Sequence, residues 1–107
     1  MSKAAAKEFA DAAIVGNKVV VFSKSYCPFC KKAKAALRDA GLTDFKVIEL
    51  EDMDNMDAIQ DYMLELTKGR SVPRVFIGGK FVGGGDDVAK LQSQGKLKPM
   101  LQKVGAL

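Results

Sequence analysis

Cys27 and Cys30 are the only thiols in the chain, and they stand two residues apart in the stretch KSYCPFCKKAK, Lys24 to Lys34. That spacing admits three chemistries: a structural disulfide, half of a metal site, or a dithiol that cycles between reduced and oxidised forms. A bridge across so tiny a loop constrains the unfolded chain little. A chain of 107 residues, 48% hydrophobic and 28% charged, can also build a core without a staple. Structural zinc asks for four Cys or His ligands, and here there are two cysteines and no histidine. The residues favour the redox dithiol.

The spacing then assigns the two sulfurs different work. With Cys27 as the N-cap of a helix and Pro28 at its first position, Phe29 and Cys30 follow as the second and third. The Cys27 sulfur faces the amides of Phe29 and Cys30 and meets the positive end of the helix dipole. Such surroundings, with Lys24 and Lys31 nearby in sequence, favour a thiolate, which makes Cys27 the nucleophile. Cys30, one turn in on the apolar face, is expected to be buried and less ionised. It can reach back to Cys27 as the resolving thiol.

Positioning these sulfurs requires a strand that ends just before them. KVVVFS, residues 18 to 23, is a β-branched run that reads as a buried central strand. Ahead of it, residues 4 to 14 place Ala5, Phe9, Ala12 and Ala13 at helical spacing. After it, Pro28 to Ala40 carries Cys30, Ala33, Leu37 and Ala40 on one helical face, and Gly41 is a natural stop. FKVIEL, residues 45 to 50, reads as a second strand, which makes strand, helix and strand a right-handed parallel unit.

Further along, residues 56 to 66 space Ile59, Tyr62, Met63 and Leu66 as one apolar helical stripe. RVFIGGKFVGG, residues 74 to 84, alternates and turns at Gly78 and Gly79 as a hairpin. Asp86 and Asp87 open another helix, and LKPMLQKV reads as a last short one. The order implies an α/β fold: a four-stranded mixed sheet flanked by helices. Cys27 then stands at the carboxyl end of a parallel strand, where open sheets of this kind place their chemistry.

Other function classes fit less well. The opening MSKAAAKEFADAAIVGN has no apolar run of signal-peptide length and carries Glu8 and Asp11, so the expected location is cytoplasmic. No stretch approaches a membrane span, and no membrane association is expected. The net charge of +4 is spread along the chain apart from Lys31, Lys32 and Lys34. It reads as solubility and local steering of anions, with no nucleic acid as partner.

Taken together, CPFC after a β-branched strand, SVPRVFIGGKFVGG further on and GGGDD after that resemble a dithiol glutaredoxin. The resemblance covers nearly the whole chain, residues 1–107 as a single domain of thioredoxin-like fold. It implies a glutathione site built from four places. Lys24 and Gln60 match the family's residues for the glycine carboxylate. Val72, within Ser71-Val72-Pro73, offers its backbone to the cysteinyl portion, with Pro73 in cis. Gly84, Gly85, Asp86 and Asp87 match the γ-glutamyl site.

The residue types suit those roles to differing degrees. Glycines let amides turn toward an anion at a helix start, and an Asp side chain binds an ammonium; the γ-glutamyl end carries both charges. GGGDD also reads as a loop and cap, Pro73 as a plain turn residue, and Lys24 and Gln60 as solvated surface. Phe29 stands where the family often has tyrosine, so its ring packs beside a disulfide without a hydroxyl, and Ser71 replaces the usual threonine.

The implied reaction is thiol-disulfide exchange on protein-glutathione mixed disulfides and on protein disulfides. Glutathione is the cosubstrate, with no tightly bound cofactor and no metal, and the protein acts as a monomer. Some relatives bridge an iron-sulfur cluster between two subunits through the first cysteine and bound glutathione. Pro28, by stiffening the loop beside Cys27, works against that alternative.

Overall fold

The strand before the cysteines organises the molecule. In a computed structural model, which describes residues 2–107, Val19–Ser23 forms β1 with every residue buried. Both of its faces are covered, which explains a continuous apolar run in place of an alternating one. On one face, Val19 and Val21 pack with Ala33, Ala36 and Leu37 of α2 (Pro28–Asp39). Val88 of α4 (Gly85–Ser93) and Leu97 and Leu101 of α5 (Leu97–Lys103) complete that cluster. On the other, Val20 and Phe22 meet Ala6, Ala10 and Ile14 of α1 (Lys3–Gly16) and Ile59, Tyr62 and Met63 of α3 (Met56–Thr67).

Three strands join β1 in the order β2-β1-β3-β4. β2 (Lys46–Glu49) runs parallel to β1, with Ser23 opposite Glu49, so β1, α2 and β2 form the expected parallel unit. β3 (Arg74–Ile77) lies antiparallel on the other side of β1, and β4 (Lys80–Gly83) closes the hairpin. Gly78 and Gly79 turn it with φ of 61° and 82°, the positive pair that a two-residue hairpin of matching twist requires. The result is the mixed four-stranded sheet between helices that the element order implies.

Three details differ from the sequence reading. In α1 the buried line is Ala6, Ala10 and Ile14, while Ala12 is exposed and Ala5, Phe9 and Ala13 are only partly covered. Six alanines among residues 4 to 13 offer too little apolar contrast to fix the phase of the face. Leu66 leaves the α3 stripe and is 46% exposed, because α3 is near its end and its inner face has passed to Ile59, Tyr62 and Met63. The second strand stops at Glu49, since Leu50–Asp52 tightens into a 3-10 turn that tucks Leu50 under α1 and α3.

Candidate active site

β1 ends at Ser23, and a tight turn closed by the Cys27 amide on the Lys24 carbonyl at 3.1 Å delivers Cys27 to the start of α2. Cys27 is the N-cap in extended conformation (φ −87°, ψ 120°), with Pro28 opening the helix. The Cys30 amide donates to the Cys27 sulfur at 3.4 Å. Of the two amides expected to face that sulfur, Cys30 supplies the bond.

The two thiols live in different surroundings. Cys27 is half-buried and Cys30 fully buried, and both are free. The Cys30 sulfur accepts the Lys24 amide at 3.5 Å. Burial pushes the Cys30 thiol up, and its hydrogen bond with Cys27 adds to the shift. One sulfur can therefore be reached from solvent while the other waits behind it.

The remaining motif blocks converge on Cys27. Its thiol lies 3.8 Å from the Val72 carbonyl, to which it donates, and the Val72-Pro73 bond is cis. Gly84 abuts Pro73: a Cβ at Gly84 would lie 3.6 Å from the Pro73 carbonyl oxygen. Gly85 is pressed against Phe29 more tightly still, since a Cβ there would fall 2.5 Å from the Phe29 carbonyl oxygen. No side chain fits, and the glycine lets the first turns of α2 and α4 lie together.

At that junction Asp87 accepts the Gly84 amide at 2.9 Å and so caps α4. Asp86 pairs with Lys32 at 2.7 Å, tying α4 to α2 across exposed surface. Phe29 is 53% exposed, and Tyr26, which the sequence reading passed over, is 65% exposed on the other side of Cys27. Lys24 is partly buried beside them.

Gln60 is not the surface residue its composition allows. It is buried, and its Nε2 donates to the Arg70 carbonyl at 3.0 Å, which anchors the segment leading into Ser71-Val72-Pro73. Arg70, also missed from sequence, carries a cation on that segment, held by Asp61 at 2.9 Å and Asp57 at 3.4 Å. Ser71 is held from the other side, its carbonyl accepting Arg74 Nε at 2.7 Å and its hydroxyl accepting the same guanidinium at 2.9 Å. The Arg74 guanidinium also lies over the Phe81 ring, 5.2 Å from its centroid.

Glu51 supports the cysteine turn in a similar way. Its carboxylate accepts the Ser25 amide at 3.0 Å and the Ser25 hydroxyl. Glu51 belongs to no motif with a chemical signature and is found by the fold that brings it near; Tyr26 and Arg74 lie within the quoted blocks, where their residue types alone signal no role.

Among the described residues, no group of three or more His, Cys, Asp or Glu is placed to hold a metal, and no helix is long and apolar enough to cross a membrane. A cleft of about 430 Å³ lined by Gly16, Lys18, Phe45 and Gly105 lies at the far, amino-terminal end of β1. It carries no thiol.

The family model for glutaredoxin matches residues 19–82. A glutaredoxin of Solanum lycopersicum is 46% identical over 107 residues, covering 100% of this chain and 94% of its own. Oxidised glutaredoxin 2 from Chlamydomonas reinhardtii superposes with a TM-score of 0.93 at 53% identity, covering 100% of both chains. A buckwheat glutaredoxin-glutathione complex superposes with a TM-score of 0.92 at 41% identity, covering 98% of this chain and 94% of that one. With its thioredoxin-like fold and its dithiol at a helix start, the chain belongs to the glutaredoxin family of glutathione-dependent disulfide oxidoreductases.

Proposed function

We propose that the protein reduces protein-glutathione mixed disulfides through Cys27, and protein disulfides through Cys27 and Cys30 together. The observation that carries this reading is the asymmetry of the pair: an accessible Cys27 sulfur receiving the Cys30 amide at 3.4 Å, and a buried Cys30 behind it. In the first route the Cys27 thiolate attacks the glutathione sulfur of the mixed disulfide, and the protein thiolate leaves and takes up a proton. A second glutathione then attacks the Cys27-glutathione bond, releasing glutathione disulfide and the free enzyme. In the second route Cys30 displaces the reduced half of the substrate, leaving an internal disulfide.

Glutathione lies along the seam where the blocks meet. The Val72 backbone, beside Cys27 and followed by Pro73, pairs with the cysteinyl portion, with Ser71 held in place by Arg74. The α4 start, Gly84 to Asp87, takes the γ-glutamyl end, where Asp87 both caps the helix and faces the ammonium. Lys24 attracts the glycine carboxylate, and Gln60 acts on that side by holding the Arg70 segment. Phe29 packs beside the mixed disulfide. The buckwheat glutaredoxin of similar fold was crystallised with glutathione, which supports glutathione as the ligand.

The protein works as a monomer in the cytoplasm, where a dithiol of this kind is kept reduced, and needs no tightly bound cofactor. The test is turnover of a small glutathione mixed disulfide by the parent protein, coupled to glutathione reductase. Glutathione-dependent turnover far above buffer is expected, and none above buffer would refute the reading.

A further inference from the structure

Ser23 is fully buried at the end of β1, and its hydroxyl makes no hydrogen bond. Buried hydroxyls almost always have a partner, because leaving one without costs its full desolvation. The alternation along β1 shows where it points. Val19 and Val21 face α2, so Ser23, two residues beyond Val21, faces α2 as well. On that face, at the start of α2, lies the Cys30 sulfur, which already accepts the amide of Lys24, the next residue; the Ser23 hydroxyl is near enough to favour its thiolate without making a formed hydrogen bond to it.

We infer that Ser23 is a catalytic donor for the resolving step: its hydroxyl turns to the Cys30 sulfur when that sulfur becomes a thiolate, completing a two-donor cradle with the Lys24 amide. This rests on the dithiol route proposed above and names a residue for it. With Cys30 protonated, the sulfur is a weak acceptor and the hydroxyl stays unpaired. As a thiolate in a buried site, the same sulfur is a strong one, and hydrogen bonds to charged groups are the stronger kind. The unsatisfied hydroxyl of the resting protein is thus held ready for a charge that exists only during turnover.

The step balances within the site. Cys30 gives its proton to solvent, and its thiolate forms a bond to Cys27 Sγ. The bond between Cys27 and the glutathione sulfur breaks, and glutathione leaves as a thiolate that takes up a proton. A lone pair of the Cys30 sulfur makes the new bond and the pair of the broken bond leaves on the glutathione sulfur, so Cys30 is oxidised and glutathione reduced with no other oxidant or reductant involved.

Burial opposes the Cys30 thiolate, and a charged Cys27 opposes it further, whereas the Lys24 amide and Ser23 favour it. Cys27 is the titratable group whose charge acts on Cys30. Lys31 and Lys32 on α2, and Asp86 and Asp87 on α4, are exposed, and Lys34 pairs with Glu49 of β2 at 3.0 Å. In the adduct Cys27 is neutral, so the donors and burial set the balance.

The test follows full-length protein mixed with excess oxidised glutathione and quenched with acid, the intact mass reporting conversion of the Cys27-glutathione adduct into internal disulfide across a pH series. Ser23→Ala should move the midpoint of that rate upward by about one pH unit and slow it about tenfold at neutral pH, with Ser23→Thr restoring the parent profile. Ser23→Ala should not lower the denaturant midpoint, because no formed bond is lost. Ser23→Thr against Ser23→Val repeats the comparison at constant shape. An unchanged midpoint in the hydroxyl-free variants, or a loss of stability in Ser23→Ala, overturns the inference alone. A parent protein that forms the adduct and never resolves it overturns the dithiol route and the inference with it.

Discussion

Gly85 and Phe29 meet backbone to backbone, so closely that a Cβ at position 85 would fall 2.5 Å from the Phe29 carbonyl oxygen and 3.1 Å from its carbonyl carbon. This contact sets the start of α4, with its cap at Asp87, against the start of α2, with Cys27. Gly85→Ala must part the two helix starts, because the opposing atoms are backbone and cannot rotate away. The expected cost is about 1–3 kcal/mol, as for other overpacked sites, read as a lower denaturant midpoint. The glutathione KM should rise with it. A variant equal to the parent in both would mean that the junction yields freely and does not shape the site.

Asp87 has two roles that substitutions separate. Asp87→Asn keeps an acceptor for the Gly84 amide and removes the charge, whereas Asp87→Ala removes both. Both should raise the glutathione KM more than they lower kcat, by less than about fivefold, as befits an exposed charge contact. Only Asp87→Ala should also lose about 0.3–1.5 kcal/mol of stability with the cap. Steady-state kinetics beside urea unfolding reads both, and an unchanged KM in Asp87→Asn would leave the residue with capping alone.

The exposure of the thiols predicts the order of alkylation. Iodoacetamide should modify Cys27 first, and peptide mapping should find Cys30 unmodified until the protein is unfolded, since Cys30 is buried and its thiol is pushed up by that burial. Equal labelling in the folded state would contradict the assignment of nucleophile and resolving thiol.

Away from the site, Asp11 links α1 to α3 by accepting from Lys7 at 2.7 Å and from the Tyr62 hydroxyl. The Lys7 bond first, and the Tyr62 bond second, hold the Asp11 carboxyl below the usual carboxylate range. A lowered folded value means that the contribution to stability is present above the unfolded value, about 3.9, and is lost as pH falls through the lower folded value. Asp11→Asn should therefore be less stable than the parent at neutral pH, and the gap should narrow below about pH 4. A gap that is constant across the series would show that the charge contributes nothing.

Much of this was legible in the sequence because its signals are local. The β-branched run of β1, the Gly78-Gly79 turn and the placement of Cys27 before Pro28 each follow from backbone preferences within a few residues. The buried line of α1 was not legible, because alanine marks an inner face poorly. Nor were the holding roles of Gln60, named above only through the resemblance, and of Glu51: Gln60 reaches Arg70, and Glu51 reaches Ser25 beyond the end of β1. Such contacts depend on which elements become neighbours. The Ser23 hydroxyl is intermediate, since strand alternation gives its direction but only the packed structure shows that it has no partner.

The most direct measurement of the central claim is the identity of the covalent adduct formed by Cys30→Ser after a single turnover with a glutathionylated peptide. Without Cys30 to resolve it, the intermediate should persist when no further glutathione is supplied, and mass mapping should find glutathione on Cys27 with the peptide released as free thiol. Peptide in place of glutathione on Cys27, or no adduct on a folded protein, would contradict the account.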